Sequence, residues 1–294
     1  MVNGIINVYK EKGYTSFDVV AKLRGIFHQK KIGHTGTLDP DAQGVLPVCL
    51  GKATRVCDLL TDKDKVYKAV LLLGQETDTQ DITGQVLNQA KVNVTEQAVY
   101  DAISQFIGRQ KQVPPMYSAL KVNGKKLYEL AREGKTVERK PRPVHFYEIE
   151  ILDISFPLVR FRVTCSKGTY IRTLCHDIGE KLGCGAAMES LLRTKVGRFT
   201  LDDAITLAQT EEAVQEGTIE SKILGIEEIL AEYPRVCCTK EGDRLLANGN
   251  PLVQALVDAQ EKNGWIRMCS SEGSFAGVYQ WDEKRNRYFP VKMF

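Results

Sequence analysis

Long apolar runs are missing from this 294-residue chain: the longest, Ala69 to Leu73, is five residues, far below the roughly 18–20 needed to cross a bilayer. The N-terminal segment MVNGIINVYK lacks the layout of a signal peptide, so the expected compartment is cytoplasmic. Histidine is scarce, with four residues, and the eight cysteines form no C-x-x-C pair. Zinc-site spacing is therefore absent and no metal is expected; the cysteines read as buried thiols in a reducing compartment. The adjacent Cys237 and Cys238 read as small apolar strand residues, with a redox pair as the other reading. No internal repeat or low-complexity stretch is visible.

What is present is ordinary globular composition, 43% hydrophobic and 26% charged, which argues against disorder and fibrous structure. The length accommodates one large domain and one small one. Net charge is only +3, but it is unevenly spread: Arg109 to His145 holds ten Lys or Arg against three Glu, and Asp202 to Tyr233 nine acidic residues against one Lys. Such asymmetry fits one face that meets a nucleic acid and another kept from it, or simply two solvated surfaces.

Periodicity supplies the elements. Gly4 to Tyr9 reads as a strand, and Thr15 or Ser16 caps a helix through about Gln29 with apolar Val19, Val20, Leu23, Ile26 and Phe27 at helical spacing. Lys31 to Gly44, KIGHTGTLDPDAQG, is too rich in Gly, Thr, Asp and Pro to be regular throughout, and the apolar stretches after it predict an ordered loop. Lys65 to Leu73 reads as a strand near a sheet centre, Asp78 to Gly84 as a polar turn, and Thr95 to Ile107 as a helix. Asn123-Gly124 predicts a tight turn inside a basic arm. Val144 to Ile154 and Leu158 to Cys165 predict an antiparallel hairpin, and Thr169 is the expected cap of a helix ending at Gly183. A further strand, Leu191 to Phe199, precedes the acidic helical stretch. After Tyr233-Pro234 the pattern becomes short β-like runs, which places the expected boundary between a domain 1–233 (with the arm at 109–145) and a module 234–294.

Chemistry is harder to find. Gly44 and Gly51-Lys52 suggest a phosphate loop, but six residues separate the glycines and Ala53 follows the lysine, so nucleotide hydrolysis is excluded. That leaves Asp39 in the ordered loop, preceded by His34, Thr35 and Thr37 and followed by Pro40. An aspartate before proline is commonly a turn former. Paired with Asp41 it also has the makings of acid and base chemistry, although nothing in the sequence sets their separation.

The segment GHTGTLDPDAQGVLPVCLGKATR (Gly33 to Arg55) resembles the catalytic motif of the TruB family of tRNA pseudouridine-55 synthases. Similar blocks continue in family order: DKVYKAVLLLGQETDTQDITG, VPPMYSALKVNGKKLYELAREG and CSKGTYIRTLCHDIGEKLGCGA, within roughly the first 200 residues. The first motif departs from the family's Lys-Pro-x-Gly, reading Lys10-Glu11-Lys12-Gly13. The resemblance implies Asp39 as catalytic aspartate, Tyr67 as active-site tyrosine and Arg172 as the partner of Asp39. It implies His34 as the residue that enters the RNA loop, and Lys10, Thr37, Lys167, Tyr170 and Leu192 as substrate-binding residues. By the same resemblance the fold is α+β, a mixed and largely antiparallel sheet with a small PUA-like β module. The resemblance further implies a reaction without a cofactor, on uridine 55 in the T-loop of tRNA flipped out of its stack, carried out by a monomer with no guide RNA or protein partner. Elementary electrostatics adds that a cation beside Asp39 lowers its pKa. A non-enzymatic tRNA-folding chaperone is the alternative reading.

Overall fold

The computed structural model describes residues 1–122, 124–258 and 262–294, so Asn123 of the anticipated turn lies outside the described residues. Strand β1 (Gly4–Lys10) leads to α1 (Ser16–Ile26), which Thr15 starts with a reciprocal bond to Asp18 and whose Val19, Val20 and Leu23 are buried. The helix stops before the expected Gln29, because Phe27 caps it and His28 turns left-handed at φ +49°. Strands β2 (Ile32–His34) and β3 (Gln43–Leu50) pair antiparallel. The glycine-rich segment is thus a loop of residues 35–42 pinned between two laddered strands. A 3₁₀ turn and the short α2 (Cys57–Thr61) follow.

Strand β4 (Lys65–Leu73) buries every second side chain, and the small hairpin β5 (Gln75–Thr77) and β6 (Val86–Gln89) holds the polar turn. Helix α3 (Glu96–Ser104), capped by Thr95, ends before the expected Ile107. Then come β7 (Gly108–Gln112), the basic hairpin β8 (Lys121–Val122) and β9 (Lys125–Lys126), and α4 (Leu127–Arg132). Strands β10 (Arg142–Ser155) and β11 (Leu158–Cys165) form the anticipated hairpin. Helix α5 (Ile171–Leu182) begins at Tyr170, not at Thr169: the Thr169 hydroxyl donates to the Ser166 carbonyl at 2.9 Å and so is turned away from the helix end. After β12 (Ala186–Val196) come β13 (Phe199–Thr200), α6 (Leu207–Gln215), β14 (Ile223–Leu224) and α7 (Ile226–Ile229).

The main sheet runs β14-β1-β3-β12-β4-β11-β10-β7, with β2 beside β3 and β13 beside β12. Every pairing is antiparallel except β12 on β3, where Leu192 and Arg193 run parallel to Gln43 and Gly44. The architecture is the expected α+β fold on a mixed, largely antiparallel sheet. One apolar core lies between β4, β10 and β11 and helices α3 and α5; a second lies under α1 and α6.

The remaining elements are β15 (Arg235–Cys237), α8 (Asp243–Ala247), β16 (Leu252–Val253), β17 (Trp265–Cys269), β18 (Phe275–Asp282) and β19 (Arg287–Met293). They form a separate five-stranded sheet with its own core around Ile266, Tyr279 and Tyr288. This sheet packs on the main one: Val278 and Phe294 share a cluster with Val56 and Leu60, and Lys292 Nζ reaches Asp58 at 2.7 Å.

The parallel contact of β12 with β3 demands a glycine. At Gly44 φ is +107°, and a Cβ there would lie 2.2 Å from the Arg193 carbonyl oxygen. Gly44→Ala is therefore expected to destabilise the fold by about 1–3 kcal/mol or more, read as a lower urea midpoint with an unchanged slope.

Candidate active site

The 35–42 loop is held by side chains reaching in from several elements. Leu38 N–H donates to the Ser16 hydroxyl at 2.8 Å, and the Thr35 hydroxyl donates to the Pro47 carbonyl at 3.1 Å. Lys10 has no exposed surface, and its ammonium donates to the carbonyls of Glu11, Tyr14 and Pro40 at 3.0, 2.5 and 3.0 Å. Burial pulls its pKa down to about 8, which still leaves it charged at neutral pH. Lys10 is thus a post under the loop, not a group lining the opening above it.

Arg172, on the first turn of α5, meets the loop from the other side. Its Nε and Nη2 engage the two Asp39 oxygens at 3.0 and 3.1 Å, a two-pronged pair of the kind only guanidinium makes. The remaining donors go to the carbonyls of Thr79 and Tyr117 at 3.1 and 3.0 Å and to Asp81 at 3.4 Å. Only 6% of the Arg172 side chain is exposed, against 38% for Asp39. One buried cation therefore joins the Asp39 loop, the β5–β6 turn and the base of the basic arm. Asp81, absent from the sequence reading, is itself held by Thr79 and Thr83.

The other side of the site is β4 and β12. Tyr67 is buried, packs in the cluster that contains Leu38, Ala42 and Leu191, and lies close enough to feel the Asp39 charge. Its phenol lies beside the Arg193 guanidinium and feels its charge. Arg193 is 2% exposed and also donates to the carbonyls of Val45, Gly36 and Thr37 at 2.7, 3.3 and 3.4 Å. It escaped the sequence reading because it looks like one more cation in a basic strand; its inward parity with Leu191 was the available signal. Leu192 is half-buried and borders an open-face groove with Lys68, Val70, Leu152 and Arg160, a groove that Asp41 and Leu191 also line. Its neighbour Leu191 is the leucine that packs with Tyr67.

Tyr170 caps α5 with its backbone clamped by the Gln112 amide, at 2.8 and 2.9 Å, and its ring lies within reach of the Arg172 and Asp39 charges. His34 is half-buried, with Nδ1 accepting the Gly36 N–H at 3.3 Å, and Thr37 is exposed on the loop. Lys167 stands apart from the cluster, exposed and ion-paired with Asp62 at 2.7 Å. Away from the loop, His176, Asp177 and Glu180 on α5 bring their ligand atoms within 4.8 Å of one another, but His176 is already paired with Glu76 and Glu180 on the helix surface.

The expected downward shift of the Asp39 pKa is reversed. Burial pushes it up, Asp81 and Asp41 add to that, and Arg172 and Lys10 pull against it without prevailing. The open 38% of its side chain lets solvent temper the shift, and the direction stays upward. Burial likewise raises the Tyr67 phenol, keeping it neutral, and lowers the His34 imidazole, with Arg193 adding to the latter.

Known proteins show which family the chain resembles. Two solved structures share the fold, each matched over 99% of this chain and 84% of theirs. One is an H/ACA RNP bound to a substrate RNA containing 2'-deoxyuridine (TM-score 0.72, 26% identity), the other a Cbf5-Nop10-Gar1 complex (0.73, 28%). The model of the TruB family pseudouridylate synthase N-terminal domain matches residues 24–171, and that of the tRNA pseudouridylate synthase B C-terminal domain residues 172–231. Among curated relatives, tRNA pseudouridine synthase B of Lachnoclostridium phytofermentans is 56% identical over the full length of both chains. That of Clostridium novyi is 49% identical over 94% of this chain and 95% of its own. The chain belongs to the TruB family of pseudouridylate synthases.

The charge balance at Asp39 can be checked by carbon-detected NMR titration. A carboxyl with a raised folded pKa stays protonated to higher pH, so its midpoint should lie above the ordinary aspartate value of 3.8. Arg172→Met removes the largest opposing charge and should move that midpoint further up, by roughly one unit or more for each 1.4 kcal/mol of attraction lost.

Proposed function

We propose that this protein isomerises uridine 55 in the T-loop of tRNA to pseudouridine, with Asp39 as the catalytic carboxylate. The observation that carries the proposal is the two-pronged Asp39–Arg172 pair opening beside the buried ring of Tyr67. The names and full-length similarity of the curated relatives support the substrate class.

The chemistry requires the N1–C1′ bond to break, the uracil to rotate, and a C5–C1′ bond to form. A stacked base in a folded RNA cannot present those atoms, so the nucleotide is flipped out. Arg172 aims the Asp39 oxygens at the extruded sugar and base and keeps the ionised form populated against the effect of burial. Attack at C1′, addition to the ring and removal of a sugar proton all use this same placement. Tyr67 offers a ring for the uracil to stack on, contributing roughly 1–3 kcal/mol. As a neutral phenol beside Arg193 it serves as a surface and hydrogen-bond partner more readily than as the base for the C5 proton. Neutral His34, rigid on β2, suits insertion into the RNA loop without the desolvation cost of a charge.

Exposed Arg109, Lys111, Lys121, Lys125, Lys140 and Arg142 give the 109–145 arm a cationic surface for the T-stem backbone, and exposed Lys167 adds to it. Thr37 and Tyr170 flank the opening. In this reading residues 1–233 form the catalytic domain and 234–294 a PUA-like RNA-binding module; the chain acts in the cytoplasm as a monomer and needs no cofactor or guide RNA.

The deciding experiment incubates the purified chain alone with an unmodified tRNA transcript. Pseudouridine should form at position 55, and Asp39→Asn should lower the rate by at least ~10²–10⁴-fold while tRNA binding persists. Binding and refolding of tRNA without product in the wild type would instead establish a chaperone, and a requirement for added proteins would establish a guide-dependent enzyme. Lys121→Ala and Lys140→Ala should each weaken tRNA binding and reduce the slope of log affinity against log salt by about 1.

A further inference from the structure

The proposed reaction uses no sulfur, yet two thiols meet beneath the loop that carries Asp39. Cys49 lies in β3 with none of its surface exposed, and its ladder partner in β2 is Gly33. Facing residues of an antiparallel pair project to the same side, with Cβ atoms about 4.5–5.5 Å apart. Gly33 has no side chain, and a methyl carbon built there would lie 3.6 Å from Cys57 Sγ. The Cys57 sulfur therefore occupies the space over Gly33, beside Cys49. Its thiol donates to the Gly33 carbonyl at 3.6 Å, both cysteines belong to one apolar cluster, and the two thiols stand close enough to shift each other's titration. Cys57 opens α2 and is a half-buried residue, whereas Cys49 is fully buried.

We propose that Cys49 and Cys57 form a peroxide-sensitive dithiol, in which Cys57 reacts first and Cys49 closes an intramolecular disulfide. The Cys57 thiolate attacks one oxygen of hydrogen peroxide and the O–O bond breaks. That oxygen stays on sulfur as sulfenic acid, while the other departs as hydroxide and is protonated to water. The Cys49 sulfur then attacks the Cys57 sulfur, the S–S bond forms as the S–O bond breaks, and the Cys49 proton leaves with the oxygen as a second water. Two thiols lose two electrons and one peroxide gains them; a dithiol reductant reverses the step.

The division of labour follows from the surroundings. The neighbouring Cys49 thiol lowers the Cys57 pKa, with Lys292 assisting and burial and Asp58 opposing, while the same proximity and burial push Cys49 up, and the thiolate is the nucleophilic form. The disulfide would link the strand pair flanking the Asp39 loop to α2, the helix whose Asp58 binds Lys292 of the second sheet. A natural internal competitor exists in Cys237 and Cys269, which face each other in β15 and β17.

Lys52 and Arg55 lie between the two cysteines, so trypsin separates them and a disulfide appears as a cross-linked peptide pair. The reduced full-length protein is exposed to hydrogen peroxide, its remaining thiols are alkylated, and the digest is mapped by mass spectrometry. A Cys49–Cys57 cross-link, lighter than the free peptides by two hydrogen atoms and reversed by dithiothreitol, is the expected result. In Cys49→Ser, dimedone should label a persistent sulfenic acid on Cys57, and in Cys57→Ser the cross-link should vanish. Any one of three outcomes overturns the proposal: sulfinic acid on Cys57 without a cross-link, a Cys237–Cys269 bridge while Cys49 and Cys57 remain alkylatable, or both thiols unreacted where free cysteine is oxidised. The wild-type peptide map decides by itself should either variant misfold.

Discussion

The site is organised around one buried guanidinium. Arg172 is nearly sealed from solvent, so each donor it carries must find an acceptor inside the protein, since a buried charge with unused donors is strongly unfavourable. Those acceptors come from four places in the chain: Asp39, Asp81, and the carbonyls of Thr79 and Tyr117. Satisfying one cation therefore fixes the Asp39 loop, the β5–β6 turn and the start of the basic arm relative to α5. A lysine, with a single point charge and no fork, has no means of holding that many groups in one plane.

A second cation does comparable work from below. Arg193 binds three carbonyls of the loop and its following strand and lies beside Tyr67, while Lys10 binds Pro40 beside Asp39. The loop lies outside the strand ladders and has few backbone partners of its own, so its order is borrowed from these side chains. The surroundings also set the chemistry. Enclosure raises the Asp39 pKa even with Arg172 in contact, which keeps the carboxyl closer to neutral pH than an exposed aspartate.

The strands and helices were largely readable, because one-face burial writes a period into the chain. Lys65–Leu73 alternates as it does because α5 and α3 cover one side of β4 only. Element ends were less readable. Helix α1 stops at Ile26 by a left-handed residue at His28, and Thr169 turns its hydroxyl back to Ser166 instead of capping α5. Parity in β12 was missed as well: register shifts flank Leu191 to Arg193, so counting alternate residues from the strand's start does not reveal that Leu191 and Arg193 are buried and Leu192 half-buried.

The amino-acid order by itself determined most of the strands and helices, the ordered loop around Asp39, the basic arm and, through its motif blocks, the family. Only the tertiary structure decided that Asp81 and Arg193 belong to the site, that Lys10 supports the loop from beneath, and that the Asp39 pKa moves up. The reason is physical: periodicity and local spacing act between residues close in the chain. A guanidinium 133 positions from its carboxylate, and the balance of burial against charge around both, exist only once the sheet has brought them together.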